Sequence, residues 1–85
     1  MTITPSEVFF QVRRIKGLYQ DIVARDAGLS RMTLISIEKG RRPTSKQAAA
    51  IAFALGIPKW DDPNIISLLI KLKEVLQVDE LLQVE

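Results

Sequence analysis

The amino-acid sequence predicts an all-α fold of five helices, the last of them extended, and three observations carry that reading. Apolar residues recur at three- and four-residue spacing along most of the chain, and no alternating stretch is long enough for a strand. Thr or Ser followed three residues on by Glu or Gln marks helix starts, and glycine marks helix ends. Eighty-five residues, 47% of them hydrophobic, suffice for one small core and not for two.

The elements follow in order. In Thr4-Pro5-Ser6-Glu7, Thr4 is the expected N-cap, Pro5 the tolerated first-turn proline and Glu7 the returning half of a capping box. Ile3 and Val8 stand where a hydrophobic staple places them, and Val8, Phe9, Val12 and Ile15 form the inward stripe until Gly17 stops the helix. A second, shorter helix runs from about Gln20 to Ala27, with Val23, Ala24 and Ala27 inward and Gly28 as a left-handed cap. Ser30 caps a third helix, whose inward positions are Leu34 and Ile37. Gly40 ends it, and Arg41-Arg42-Pro43 forms a loop. Thr44 with Gln47 reads as a second capping box, opening a helix that buries Ala48, Ile51, Ala52 and Leu55. Gly56 stops that helix, with Pro58 just beyond. Asp62-Pro63 or Asn64 opens the fifth, expected to reach about Gln77. Trp60 is expected to lie as an apolar lid over the fourth and fifth helices.

Composition removes several kinds of chemistry. With neither cysteine nor histidine, the chain has no disulfide, no thiolate zinc site and no Cys–His or Ser–His couple. Ser30 and Ser36 have no candidate base, so no catalytic residue, metal ligand or cofactor site is assigned and an enzyme is not expected. The longest uncharged apolar run, "AAAIAFALGI", is too short to span a bilayer, and "MTITPSEV" lacks the basic start of a secretory signal. A cytoplasmic location and no membrane contact are the expectations. The net charge of +2 hides an asymmetry: residues 1–60 carry ten Lys/Arg against four Asp/Glu, and residues 61–85 two against six. A basic front suits a polyanion, although a solvated surface of mixed charge accounts for the counts equally well.

The break Gly28-Leu29-Ser30 between two short helices has a physical reading. Two helices joined by a short turn containing Gly make a helix-turn-helix if they cross steeply. Close crossing needs a small side chain, which Ala24 supplies, and a turn residue free to take positive φ, which Gly28 supplies. Leu29 plugs the turn, and Leu34 and Ile37 anchor the second helix.

The stretch "GLYQDIVARDAGLSRMTLISIEKGRR", followed by "AIAFALGI", resembles the phage repressor and Cro-like (XRE-type) helix-turn-helix domain, over about residues 5–57 and most strongly over 17–40. Gln20, Ala24, Gly28, Ser30, Leu34 and Ile37 stand at matching positions. Arg13 and Glu38 match a family pair that ties the first helix to the recognition helix through a buried ion pair. Tyr19 departs from the pattern, standing where the family prefers Ser or Thr, and the "GRRP" loop is shorter than is common. The resemblance implies a DNA-binding domain over 1–60 in a bacterial or phage-encoded regulator, acting on double-stranded DNA with a two-fold operator. In such a domain the second motif helix, residues 31–39, enters the major groove with its first residues at the base edges. Arg31, Met32, Ile35 and Ser36 then become candidate base contacts. Arginine suits the paired acceptors of guanine, and methionine suits a thymine methyl. Gln20, Ser30, Lys39, Arg41 and Arg42 become candidate phosphate contacts. For Arg31 the competing reading is a solvated side chain; for Met32, a core filler.

The segment 61–85 follows no part of that pattern. Ile65, Leu68, Leu69, Leu72, Val75 and Leu76 form a full core stripe by spacing, which leaves Ile66, Ile70, Leu81 and Leu82 as surplus. Excess apolar surface must be buried against something, and a homodimer built through these residues is the expectation. A tail folded back on one irregular core is the competing reading. Two other functions stay open: an antitoxin whose acidic, apolar C-terminal segment holds a basic toxin, and a protein-interaction module that touches no DNA.

Overall fold

A computed structural model describes residues 3–84, with side chains as far as Val75. Its elements are α1 (Pro5–Ile15), α2 (Gln20–Asp26), α3 (Arg31–Glu38), α4 (Ser45–Leu55) and α5 (Pro63–Val84). The fold is all-α, and no strand occurs among the described residues. Among the described residues no helix is long and apolar enough to cross a membrane.

Local chemistry explains most of the boundaries. Thr4 caps α1 by accepting the Glu7 N–H at 3.3 Å, and Pro5 occupies the first turn. Ser30 caps α3 by accepting the Thr33 N–H at 3.1 Å. At α4 both halves of the capping box are made: Thr44 Oγ1 accepts the Gln47 N–H at 3.1 Å, and Gln47 Oε1 accepts the Thr44 N–H at 3.1 Å. Asp62 is the cap of α5, its carboxylate accepting the Ile65 N–H at 3.3 Å. Only α2 starts without a side-chain cap, at Tyr19. It ends at Asp26 with Ala27 as its C-cap, and Gly28 follows with φ of 71°. There the Gly28 N–H donates to the Arg25 carbonyl at 3.0 Å and the Leu29 N–H to that of Ala24 at 2.8 Å, so two last-turn carbonyls are satisfied and the chain turns sharply into α3. A Cβ at position 28 would meet no atom, so glycine is required there by the backbone and not by space.

One core joins all five helices. Val8, Phe9, Val23, Leu34, Ile37, Ile51, Leu55 and Leu69 are its largest fully buried members, and each large side chain contributes about 1.5–3 kcal/mol on leaving water. α1 lies against α3, α4 and α5, while α2 lies against α3 and α4. Leu69 carries this core across the boundary expected at residue 60, and Trp60 sits half-buried against it.

The structure corrects three expectations. Glu7 does not return to the Thr4 backbone: its carboxylate meets Lys73 Nζ of α5 at 2.8 Å, so a tertiary ion pair replaces the local box. Ile15 leaves the inward stripe and is exposed, because α1 ends there and the chain turns away at Gly17. On α5 the expected stripe keeps Ile65, Leu69 and Leu72 but loses two members and gains two. Ile66 and Ile70 pack against the core with Ile65 and Leu72, whereas Leu68 and Val75 are 53% and 56% exposed. The face is set by Leu69, which is buried, and by the Lys73–Glu7 bridge, which turns that side of α5 toward α1. Leu76, Leu81 and Leu82 lie beyond the described side chains. The helix itself runs past the expected end at Gln77 to Val84.

Candidate nucleic-acid interface

The most firmly held part of the surface is the one that keeps α3 in place. Glu38, in the last turn of α3, has a side chain only 4% exposed and receives three hydrogen bonds. Arg13 of α1 grips it with two parallel bonds, Nε to Oε2 at 2.8 Å and Nη2 to Oε1 at 2.9 Å, the bidentate geometry that favours arginine over lysine. The Gln20 amide donates to Oε1 at 3.2 Å, and Arg13 Nη1 donates to the Leu18 carbonyl at 3.0 Å. Three helices are thus joined through one carboxylate, and Arg13 also ties in the α1–α2 turn. Lys16 adds an end-stop elsewhere, its Nζ donating to the Leu55 carbonyl at 2.7 Å, where a cation meets the C-terminal end of α4.

With its inner face fixed by Leu34 and Ile37, α3 presents the other side outward. Arg31 and Met32, the first two residues of the helix, are exposed, Met32 at 72%. A methionine so exposed fills no core position. Ile35 and Ser36 are half-buried on the same helix. Lys39, Arg41 and Arg42 are all exposed on the segment leaving α3, which is closed by the Arg41 N–H donating to the Ser36 carbonyl at 3.1 Å. Two candidate phosphate contacts have internal partners. The Ser30 hydroxyl lies 2.8 Å from that of Thr33 besides its capping bond. The Gln20 amide nitrogen spends one of its two N–H groups on Glu38.

Spacing alone passes over Tyr19. It is exposed and shares with Arg13, Gln20, Asp21 and Arg31 a shallow depression of about 420 Å³. A phenol beside Arg31 adds a hydrogen-bonding group at the rim of the α3 surface. The signal is present in the sequence, as an aromatic residue where a capping hydroxyl is favoured. The Arg14 guanidinium stands over the Phe10 ring at 5.3 Å. Among the described residues no group of three or more metal-ligating side chains comes together. No protein-family model matches the chain, and no curated protein matches it.

Proposed function

We propose that this chain is a sequence-specific, DNA-binding transcription regulator of the phage repressor and Cro-like class, with α3 as its recognition helix. The observation that carries the reading is the conjunction at α3. A short helix is locked from behind by a buried bidentate ion pair, leaves Arg31 and Met32 uncovered at its first turn, and is followed by three exposed cations. An arginine and a methionine so held suit a major groove, where guanine offers two acceptors and thymine a methyl. The cations at 39, 41 and 42 suit flanking phosphates. Selection of bound sites from random duplexes tests this directly. Recovery of one consensus supports the regulator, and recovery of no enriched site removes it.

Electrostatics supplies an independent check. If Lys39, Arg41 and Arg42 each meet a phosphate, alanine at any one weakens binding to all duplexes alike. It also lowers the slope of log affinity against log salt by roughly 0.9 for each phosphate that is no longer neutralised. Slopes that stay at the wild-type value in all three variants take this cluster out of the interface.

The regulator is proposed to act as a homodimer through the outer face of α5. Leu68 and Val75 lie seven residues apart on that face, both more than half exposed, with exposed Lys71 and Glu74 of opposite charge between them. Two copies of α5 crossing antiparallel about a two-fold axis would set Leu68 against the partner's Val75 and Lys71 near the partner's Glu74, a self-complementary arrangement. Leu68→Glu with Val75→Glu is expected to give monomers in sedimentation that keep the wild-type melting behaviour and bind a full two-fold site much more weakly. A wild-type protein that sediments as a monomer at micromolar concentration overturns the dimer.

A further inference from the structure

A groove of about 530 Å³ runs between the outer face of α4 and the loop that leads into α5, with Ala49, Phe53, Ile57, Lys59 and Trp60 among its lining. Phe53 is 83% exposed, the most of any large apolar side chain among the described residues. The core does not need it, since Ala48, Ile51, Ala52 and Leu55 already supply the inward face of α4. An aromatic ring left in water beside a second, half-buried one is surface that a partner gains by covering. The charges say which kind of partner. Residues 39–60 hold five Lys or Arg and no Asp or Glu. Lys46 stands seven residues before Phe53, on the same face of α4, and Lys59 lines the groove itself. Neither meets a carboxylate among the described residues, and Asp61 is the one acid in the lining. An apolar segment flanked by acids fits such a surface.

The chain carries such a segment. Residues 74–85 hold four acids and no cation, with six Val or Leu among them. Val78, Leu81 and Leu82 recur at the spacing by which a helix seats itself in a groove, and Asp79 and Glu80 stand between them. α5 runs unbroken from Pro63 to Val84, so its end lies about 30 Å from its start. The groove lies at that start, against residues 57–61. A chain therefore cannot fill its own groove with its own C-terminal end, but a second copy can. In the antiparallel crossing that sets Leu68 against the partner's Val75, Leu68 lies five residues beyond Pro63 and Val75 five before Glu80. Pro63 is then level with the partner's Glu80. The partner's Leu81 and Leu82 pass the start of α5 and come beside the loop that walls the groove.

We propose that the groove beside Phe53 and Trp60 receives the C-terminal end of α5 from a second copy of this chain. Its apolar residues cover the two rings, and its acids come near Lys46 and Lys59. By two-fold symmetry the exchange is reciprocal, and one dimer fills both grooves. This rests on the homodimer proposed above and adds to it a docking site away from the α5 crossing. It does not depend on α3 reading DNA.

The chain has no cysteine, so introduced pairs report single contacts. In the full chain Ala49→Cys is combined in turn with Leu81→Cys and Leu82→Cys, and the protein is oxidised with diamide at micromolar concentration. A disulfide-linked dimer is expected from at least one pairing on a denaturing gel without reductant, and none from any of the single variants. Leu68→Cys with Val75→Cys examines the α5 crossing separately. Links between 68 and 75 with none at 49 overturn the docking and leave the dimer standing. A link at 49 with none between 68 and 75 upholds the docking and overturns the crossing. Links at neither, in protein that sediments as a monomer, overturn both. A link formed within one chain means that the tail folds back, and it overturns the docking. Phe53→Ser should raise the dimer dissociation constant about tenfold, as when an interface loses an aromatic anchor, with melting of the diluted monomer unchanged. An unaltered constant overturns the site. Lys46→Glu with Lys59→Glu should weaken the dimer as well, and adding Asp79→Lys with Glu80→Lys should restore it. Failure of that exchange to restore the dimer would give the groove to some other acidic partner and not to a second copy.

Discussion

Glu38→Ala is expected to lower the stability of the folded chain by about 3–5 kcal/mol, the cost of stranding one member of a buried ion pair. The Glu38 side chain is 4% exposed and that of Arg13 13%, so the guanidinium left behind reaches little water. The loss is not confined to Arg13. Glu38 also accepts from the Gln20 amide at 3.2 Å, so the same change leaves a second donor without its partner. For a chain of this size 3 kcal/mol corresponds to a fall in melting temperature of roughly 12 °C or more. Arg13→Met with Glu38→Leu should recover most of the loss, because no charge is then buried; what remains is owed to Gln20 and to the Leu18 carbonyl, which Arg13 Nη1 serves at 3.0 Å. Urea melts of the two variants against wild type decide the matter. Glu38→Ala melting within a few tenths of a kcal/mol of wild type would show that the pair adds nothing. A double variant no better than the single would place the cost in poorer packing and not in the stranded charge.

That pair also marks the limit of what the sequence alone displays. Caps are local, and they are legible as such: Ser30 before Arg31, and Thr44 with Gln47, need only three-residue spacing, and the structure makes both. Gly28 is legible because a left-handed turn narrows the choice of residue. Arg13 and Glu38 are 25 residues apart, and no periodicity links them; their pairing is expected from resemblance and not from pattern. Glu7 shows the opposite case. A local box is available, and a cation 66 residues away takes the carboxylate instead. The phase of α5 escapes the sequence for a different reason. A helix apolar around most of its circumference admits more than one inner face by spacing, and packing against α1 makes the choice, keeping Leu69 inward but turning Leu68 outward and Ile66 and Ile70 toward the core. The outward residues of α3 are legible as a remainder, once Leu34 and Ile37 are assigned to the core. Tyr19 escapes because its contribution is spatial, through the depression it shares with Arg31.

Arg31 is expected to read sequence and not merely charge, which makes its removal the second large effect. Arg31→Ala should weaken binding to the preferred operator by about 1–3 kcal/mol, the discrimination carried by one bidentate arginine–guanine pair, and should relax selectivity at one base pair of each half-site. The structure gives the side chain freedom to do this: Arg31 is exposed at the first turn of α3, and no carboxylate among the described residues holds it. What aims it is the fixed backbone beneath. The turn at Gly28, the cap at Ser30 and the clamp on Glu38 set the helix direction, and the arginine has only to choose a rotamer. Binding to unrelated duplexes should fall much less, since Lys39, Arg41 and Arg42 remain to meet phosphates. Arg31→Lys should restore little, because an ammonium lacks the planar fork that matches the two guanine acceptors. Met32→Ala should cost less, and its effect should appear as a weakened preference at a neighbouring thymine. Competition between the selected operator and each of its single-base variants, for wild type and every mutant at one salt concentration, separates these outcomes. A uniform drop across all variant sites for Arg31→Ala would make it a phosphate contact. Full recovery by Arg31→Lys would lead to the same conclusion, and the first turn of α3 would then have to be withdrawn from the base edges.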